Sequence, residues 1–158
     1  MTGAGSVTYV AHDEWDTARL GAALAAALPE PAVVALDGPL GAGKTRLAQA
    51  IASALAIDPR DVTSPTFVLV QQYQGQRVLN HFDAYRVKDE AEFWELGPQE
   101  YYDRGITLIE WARRVEGCLP AERLHIAIEV LGPTSRRFEL TAVGQAYQAV
   151  IGQLASSW

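Results

Sequence analysis

One segment of the sequence combines glycines, a lysine and a threonine at a fixed spacing. It reads G-P-L-G-A-G-K-T over residues 38–45. Glycines let the backbone turn tightly around an anion with its N–H groups inward, and a helix that begins after the turn adds the positive end of its dipole. Lys44 can reach the outer phosphates of a nucleotide, and the Thr45 hydroxyl can bind Mg²⁺. The pattern predicts a P-loop formed by Gly38, Pro39, Leu40, Gly41, Ala42, Gly43, Lys44 and Thr45.

The alternative interpretation of this segment is a plain glycine-rich turn between a strand and a helix. A chance match to the full pattern in a chain of this length is about a half-percent event at average residue frequencies. An apolar run, Val33 to Leu36, precedes the turn, and a helical stretch begins at Lys44. This context favours phosphate binding.

Two acidic residues follow short apolar runs, where a strand would deliver a carboxylate to the same edge of an α/β sheet. Asp83 follows Val78–Phe82, and Glu110 closes Thr107–Ile109. Either could support Mg²⁺ or orient water during phosphoryl transfer, and the alternative for each is a solvated strand end. Asp37, which directly precedes the glycine-rich turn, is expected to support that turn.

A hydroxyl-rich segment, Ser64-Pro65-Thr66, has two possible interpretations. It could be a switch that senses a terminal phosphate through Thr66, or a rigid turn that leads into a strand at Phe67. His81 is interpreted as a packing or hydrogen-bonding residue rather than a general base. Trp111 is interpreted as a core or interface aromatic rather than a nucleotide stacker.

The elements that would position these residues alternate between strand and helix early in the chain and form hairpins later. Such an order predicts an α/β fold, P-loop NTPase-like, whose mixed sheet is parallel in the centre, antiparallel at the margins and flanked by helices. The predicted strands are 7–10, 32–36, 67–73, 77–82, 106–109, 124–130 and 136–143. The predicted helices are 14–28, 44–56, 89–96 and, weakly, 145–154.

Size and composition indicate one ordinary globular domain spanning residues 1–158. The net charge of −6 argues against broad coating of nucleic acid or of an anionic membrane, although Arg113-Arg114 and Arg136-Arg137 leave room for a small basic patch. The one cysteine, Cys118, has no disulfide partner in the chain. No targeting or membrane segment is visible, so we expect a soluble, cytoplasmic protein.

Five segments together resemble the TsaE family of small bacterial P-loop ATPases. The resemblance covers roughly residues 7–143 and rests on the order and separation of the motifs. The motifs are the segment 38–45, T-S-P-T-F at 63–67, H-F-D-A-Y-R at 81–86, E-L-G at 95–97 and I-E-W at 109–111. Pro39 and Ala84 depart from the commoner family residues without removing a chemical group, and the tail 144–158 matches nothing in the family pattern.

The resemblance implies a role in making N6-threonylcarbamoyladenosine at position 37 of tRNA. ATP hydrolysis by this chain would reset a TsaB–TsaD heterodimer between turnovers, without this chain transferring the threonylcarbamoyl group or binding tRNA directly. The implied cofactors are ATP or ADP and Mg²⁺. The implied site residues are Lys44 and Thr45 for phosphate and Mg²⁺, Glu110 and Asp83 as functional acids and Mg²⁺ ligands, Thr66 in the switch, and Thr17, Trp111 and Arg136 near the nucleotide.

Two other functions remain open at this point. A small-molecule kinase would use the same loop, but such enzymes usually need an arginine-rich lid, and no dense arginine cluster follows the second helix. A nucleotide-gated binding module would bind the nucleotide with negligible hydrolysis. The three differ in where the γ-phosphate goes.

Overall fold

The computed structural model describes residues 5–63 and 69–157, and in this part of the chain the strands form one sheet. The spatial order of the strands is β1-β7-β6-β2-β5-β4-β3. The strands are β1 (Ser6–Ala11), β2 (Ala32–Asp37), β3 (Val70–Tyr73), β4 (Leu79–Asp83), β5 (Ile106–Glu110), β6 (Arg123–Val130) and β7 (Arg136–Val143).

The centre of the sheet is parallel and its margins are antiparallel, which confirms the predicted architecture. Strand β2 pairs in parallel with β5 on one side and β6 on the other, and β4 pairs in parallel with β5. The pairs β1–β7, β6–β7 and β3–β4 are antiparallel. Every residue of β2 is buried, which explains its continuous apolar sequence, because a central parallel strand is covered on both faces.

Helices cover both faces of the sheet. They are α1 (Glu14–Ala27), α2 (Lys44–Ala54), α3 (Glu90–Trp94), α4 (Pro98–Tyr102) and α5 (Gln148–Ala155). Helix α1 begins where the sequence predicts, because the Asp13 side chain accepts a hydrogen bond from the Asp16 N–H. Helices α1 and α2 lie in close contact at Gly21, where a Cβ atom would come within 2.5 Å of the Ala50 Cβ.

The buried apolar side chains form two clusters, one on each face of the sheet. The larger one joins α1, α2 and α5 to one face of the sheet through buried residues such as Leu24, Ile51 and Leu154. The other lies on the opposite face, around Phe82 and Phe93. Because β4 alternates its side chains between these faces, Leu79, His81 and Asp83 lie on the side of α2, opposite to Phe82.

Several elements differ from the predictions in detail. Strand β4 begins at Leu79 rather than at Arg77, and the turn before it is bonded to the end of α2, where the Gln76 N–H donates to the Leu55 carbonyl at 2.7 Å. Helix α4 and a 3₁₀ helix over Ala112–Cys118 were not predicted. The predicted residues 67 and 68 of the third strand lie outside the described residues.

The C-terminal region is part of the core. A 3₁₀ turn over Gln145–Tyr147 leads into α5, in agreement with the weak helix prediction. The Tyr147 hydroxyl accepts a hydrogen bond of 2.8 Å from the Val33 N–H, which ties this region to β2. In residues 5–63 and 69–157, no helix has the length and apolar character needed to cross a membrane.

Candidate functional site

The glycine-rich loop joins the end of β2 to the start of α2 and needs glycine for three local reasons. Gly41 and Gly43 have φ angles of +76° and +109°, which L side chains rarely adopt. At Gly38, a Cβ atom would lie 2.9 Å from the Ile128 carbonyl oxygen on neighbouring β6. The loop therefore turns sharply against the sheet and brings Lys44 to the first position of α2.

The Lys44 ammonium is buried and bound to the loop itself. Its Nζ donates to the carbonyls of Gly38 at 2.7 Å and Pro39 at 2.9 Å, and lies 4.2 Å from the centroid of the Trp111 ring. Burial lowers the pKa of Lys44, and the neighbouring carboxylates, Glu110 foremost, oppose this shift. The Lys44 ammonium is thus a positive group held at the N-terminal end of α2.

One carboxylate oxygen connects three elements. Glu110, at the end of β5, accepts a hydrogen bond from the Thr45 hydroxyl at 3.0 Å through Oε2. The same Oε2 lies 2.6 Å from Nε2 of His81 on β4. Both Glu110 and His81 are buried. The predicted loop threonine and the predicted strand-end acid therefore meet directly.

Asp83 lies beside Glu110 in the sheet, because the two are register partners on β4 and β5. Asp83 is also buried, and its Oδ1 accepts a hydrogen bond from the Tyr85 N–H at 2.9 Å. Asp83 and Glu110, the two predicted acids, thus reach the same edge of the sheet, next to Lys44.

These groups line one open cavity of about 900 Å³. It brings together most of the predicted site residues, namely Thr17, Leu40, Gly41, Ala42, Gly43, Lys44, Thr45, Asp83, Glu110, Trp111 and Arg136. Gly38 and Pro39 do not line it, and line a smaller cavity behind the loop instead. Thr66 lies outside the described residues. The functional roles assigned to these residues remain predictions.

The Arg136 side chain binds backbone carbonyls of the glycine-rich loop. From β7 its Nε donates to the Ala42 carbonyl at 2.9 Å, and its Nη2 donates to the Gly41 carbonyl at 3.3 Å. Its Nη1 donates to the carbonyls of Gly132 at 2.8 Å and Ser135 at 3.0 Å in the β6–β7 connection. Most of the guanidinium donors are therefore engaged with carbonyls, which fix the loop against that connection.

Trp111 follows Glu110 in a left-handed backbone conformation with a φ of +60°. Such a conformation is costly for a bulky residue and is retained where the surroundings impose it. The Trp111 ring lies 4.8 Å from the Tyr85 ring, measured between centroids, and faces the Lys44 ammonium. Trp111 thus lines the cavity and also packs against the apolar cluster around Phe82 and Phe93, in agreement with its predicted packing role.

The sequence interpretation missed the contact between His81 and Glu110. The signal was available in part, because His81 stands two residues before Asp83 and must share its face of β4. The contact itself depends on the pairing of β4 with β5. Tyr85 and Arg86 from the same motif also line the cavity, as do Asp13 and Glu14 before and at the start of α1.

A second polar cluster lies behind the loop. Asp37 accepts a hydrogen bond of 3.1 Å from the Arg113 N–H, and its other oxygen lies 3.0 Å from Nε2 of His125 on β6. Asp37 and His125 are not among the residues that line the 900 Å³ cavity. These contacts join Asp37 to β6 and to the 3₁₀ helix over Ala112–Cys118, so its predicted role in supporting the turn stays a prediction.

The donor set suits Mg²⁺ bound together with phosphate. Thr45 and Glu110 offer oxygen atoms in mutual contact, and Mg²⁺ is usually held by one or two protein oxygen ligands plus substrate phosphates and water. The described residues contain no group of three or more His, Cys, Asp or Glu side chains that could hold a metal without such help.

The central parallel sheet, with a glycine-rich loop between β2 and α2, defines an α/β domain of the P-loop NTPase-like class. The family model described as "Threonylcarbamoyl adenosine biosynthesis protein TsaE" matches residues 11–138. The chain therefore belongs to the TsaE family.

Individual relatives agree with this assignment. The Bacillus subtilis tRNA threonylcarbamoyladenosine biosynthesis protein TsaE is 42% identical over 137 residues, which is 85% of each chain. The Treponema pallidum protein of the same name is 39% identical over 128 residues, which covers 80% of this chain and 94% of the relative. The crystal structure of Bacillus subtilis YdiB superposes with a TM-score of 0.78 at 34% identity, covering 96% of this chain and 95% of that one.

Proposed function

We propose that this chain is a Mg²⁺-dependent ATP hydrolase that supports formation of N6-threonylcarbamoyladenosine at position 37 of tRNA. It acts on a TsaB–TsaD heterodimer to allow repeated turnover, and it does not itself transfer the threonylcarbamoyl group. Family membership supports the pathway. The proposal places the protein in the cytoplasm, and the net charge of −6 favours contact with tRNA through the partner complex rather than directly.

One observation carries the proposal of ATP hydrolysis. The Thr45 hydroxyl and the Glu110 carboxylate are in hydrogen-bond contact in the cavity that Lys44 and the glycine-rich loop also line. A hydroxyl, a carboxylate and an ammonium beside inward-turning backbone are the groups that a Mg²⁺–nucleotide needs. The volume of about 900 Å³ lies within the range of small-molecule sites.

In the proposed mechanism, residues of this chain bind and orient the triphosphate for in-line attack by water. The loop N–H groups and the helix dipole of α2 hold the outer phosphates, and Lys44 stabilises the charge that develops on the transferred group. Thr45 and Glu110 would hold Mg²⁺, which when bound neutralises phosphate charge. Asp83, beside Glu110 in the sheet, is proposed to orient the attacking water.

The isolated chain is expected to hydrolyse ATP slowly. The arginines that line the cavity have other contacts, since Arg136 binds loop carbonyls, Arg46 pairs with Glu14 at 2.8 Å, and Arg86 also has an interaction of its own. A partner that supplies a positive group would accelerate the reaction.

The test follows labelled γ-phosphate from ATP, with and without TsaB–TsaD and tRNA. Release to water that the partner complex stimulates, and that the Lys44→Ala variant lacks, is the expected result. Transfer to a metabolite faster than to water would instead identify a kinase. Modified tRNA formed at the wild-type rate by Lys44→Ala and Glu110→Ala variants that still bind the partners would identify a binding module. A His125→Gln variant serves as the control for substitution outside the cavity.

A further inference from the structure

His81 is a buried histidine to which the proposed mechanism gives no role. Its side chain is fully buried within β4, and its Nε2 lies 2.6 Å from Oε2 of Glu110. The short distance and the complete burial distinguish this contact from an incidental surface pair. A buried polar side chain that is bonded to one proposed ligand calls for a functional explanation.

The bonding pattern fixes the tautomer of His81. Its other nitrogen, Nδ1, is buried and has no hydrogen-bond partner among the described residues. The Glu110 carboxylate, as a proposed ligand for Mg²⁺, is ionised and can only accept hydrogen bonds, so the 2.6 Å contact requires a proton on Nε2. The proton belongs on Nε2, where the Glu110 carboxylate accepts it. His81 is thus a donor directed at one oxygen of Glu110.

This bond limits where the Glu110 carboxylate can lie. A glutamate side chain has several rotatable bonds, and a site must hold its groups within about 0.5 Å of the productive geometry. Oε2 of Glu110 accepts one hydrogen bond from His81 on β4 and another from the Thr45 hydroxyl on α2. Two elements therefore fix one oxygen of a side chain that lies on a third element, β5. The Thr45 hydroxyl also has lone pairs to offer to a cation. His81 has no lone pair to offer to a cation in the cavity, because its Nδ1 is buried.

We propose that His81 is a positioning residue that holds the Glu110 carboxylate in place for the Mg²⁺–nucleotide. This inference rests on the proposed function. His81 is not among the residues that line the cavity, and it acts through Glu110. Loss of a side chain that orients a metal ligand typically costs about 10- to 100-fold in metal affinity or activity.

Two substitutions of His81 separate positioning from packing. The His81→Leu variant removes the donor and keeps an apolar side chain beside Leu79 and Leu108, which belong to the apolar cluster on that face. The His81→Gln variant keeps an N–H donor that can reach the place of Nε2. His125→Gln is the matched control, because His125 also bonds a carboxylate, but that carboxylate, Asp37, does not line the cavity.

The first measurement is calorimetric binding of ADP to the full chain, in Mg²⁺ and in EDTA. For the wild type, Mg²⁺ should strengthen ADP binding. In His81→Leu we expect the ratio of the ADP affinity in Mg²⁺ to the ADP affinity in EDTA to fall by about tenfold or more, while the affinity in EDTA stays unchanged. His81→Gln should retain most of that ratio, and His125→Gln should match the wild type.

The second measurement is steady-state ATP hydrolysis in the presence of TsaB–TsaD. We expect His81→Leu to lower kcat with little change in KM at saturating Mg²⁺, and to need more Mg²⁺ for half-maximal rate. His81→Gln should restore most of kcat. Equal defects in the Leu and Gln variants would show a packing role, and wild-type behaviour of His81→Leu would also overturn the inference.

The outcomes distinguish this inference from the proposed function. If the wild type binds no nucleotide, the proposed function fails and this inference fails with it. If the wild type binds and hydrolyses ATP while His81→Leu retains the full effect of Mg²⁺, only this inference fails. Should His81→Leu not fold, ¹⁵N NMR of the wild-type histidines decides: a protonated Nε2 on His81 supports the inference, and an unprotonated Nε2 overturns it.

Discussion

Two histidine–carboxylate pairs flank the glycine-rich loop, and they differ in what else each carboxylate contacts. The His81–Glu110 pair is buried, and its carboxylate lines the cavity, where Glu110 also accepts a hydrogen bond from the Thr45 hydroxyl. The His125–Asp37 pair lies behind the loop, where the imidazole is 23% exposed and Asp37 also accepts the Arg113 N–H. One carboxylate is thus linked to a side chain of the loop, and the other to the backbone of a neighbouring segment.

This comparison shows that residue type and partner do not by themselves define a functional site. Both pairs join an imidazole to a carboxylate at a hydrogen-bond distance, 2.6 Å in the first pair and 3.0 Å in the second. Only the carboxylate of the first pair, Glu110, lines the cavity with Lys44 and Thr45. We therefore expect substitutions in the His81–Glu110 pair to change the chemistry, and substitutions in the His125–Asp37 pair to change stability.

The largest expected effect is on the rate of ATP hydrolysis, and it distinguishes Glu110 from Asp37. Glu110→Gln keeps the shape of the side chain and removes its charge, so hydrolysis of ATP with TsaB–TsaD should fall by about 10²- to 10³-fold, as for other charge-stabilising groups. Asp37→Asn, the matched substitution behind the loop, should leave hydrolysis near the wild-type rate. Equal losses in the two variants, measured by phosphate release, would remove the distinction between the pairs.

The next effect concerns stability. Asp37→Ala leaves the Arg113 N–H and the His125 imidazole without their acceptor, which should lower the free energy of unfolding by about 1–3 kcal/mol. Urea denaturation monitored by tryptophan fluorescence measures this change. Asp37→Asn retains an acceptor oxygen and serves as the control. Unchanged stability of Asp37→Ala would show that the cluster behind the loop contributes nothing to the fold.

A smaller effect is expected at Arg136, which holds the loop from the cavity side. Arg136→Lys keeps the charge but cannot donate to the carbonyls of Ala42, Gly41, Gly132 and Ser135 at once. We expect ADP affinity to fall by about tenfold, which corresponds to ~1.4 kcal/mol, because the loop N–H groups lose their fixed positions. Calorimetry measures the affinity, with Arg137→Lys on the same strand as the control. Wild-type affinity of Arg136→Lys would contradict a loop-holding role.

The smallest effect is expected for His125→Gln. The imidazole is partly exposed, and the amide can replace its donor, so the free energy of unfolding should change by less than about 1 kcal/mol. Urea denaturation and ADP calorimetry check both properties in one variant. A large loss of ADP affinity would show that the cluster behind the loop reaches the cavity after all.

The features that the sequence predicted depend on local patterns. The apolar run of β2, the glycine spacing of residues 38–45 and the Asp13 cap of α1 are each visible within a few residues. The parallel centre of the sheet followed from the order of strands and helices. The shared edge of Asp83 and Glu110 followed from their positions at strand ends.

The features that the sequence did not reveal depend on distant contacts or weak patterns. The His81–Glu110 contact needs the register between β4 and β5, which places residues 29 positions apart side by side. Helix α4 has only five residues, too few to display a helical period. The left-handed conformation of Trp111 has no sequence signal, because the surrounding structure imposes it on a residue that disfavours it.

The pairing of β1 with β7 has a consequence for folding during synthesis. The first strand finds its partner only after Arg136–Val143 has been made, and β2 must wait for β5 and β6. At about 5–20 residues per second, the emerging chain spends several seconds with these early strands unpaired. The glycine-rich loop is therefore synthesised before β5 and β6, the two strands that flank β2 in the sheet.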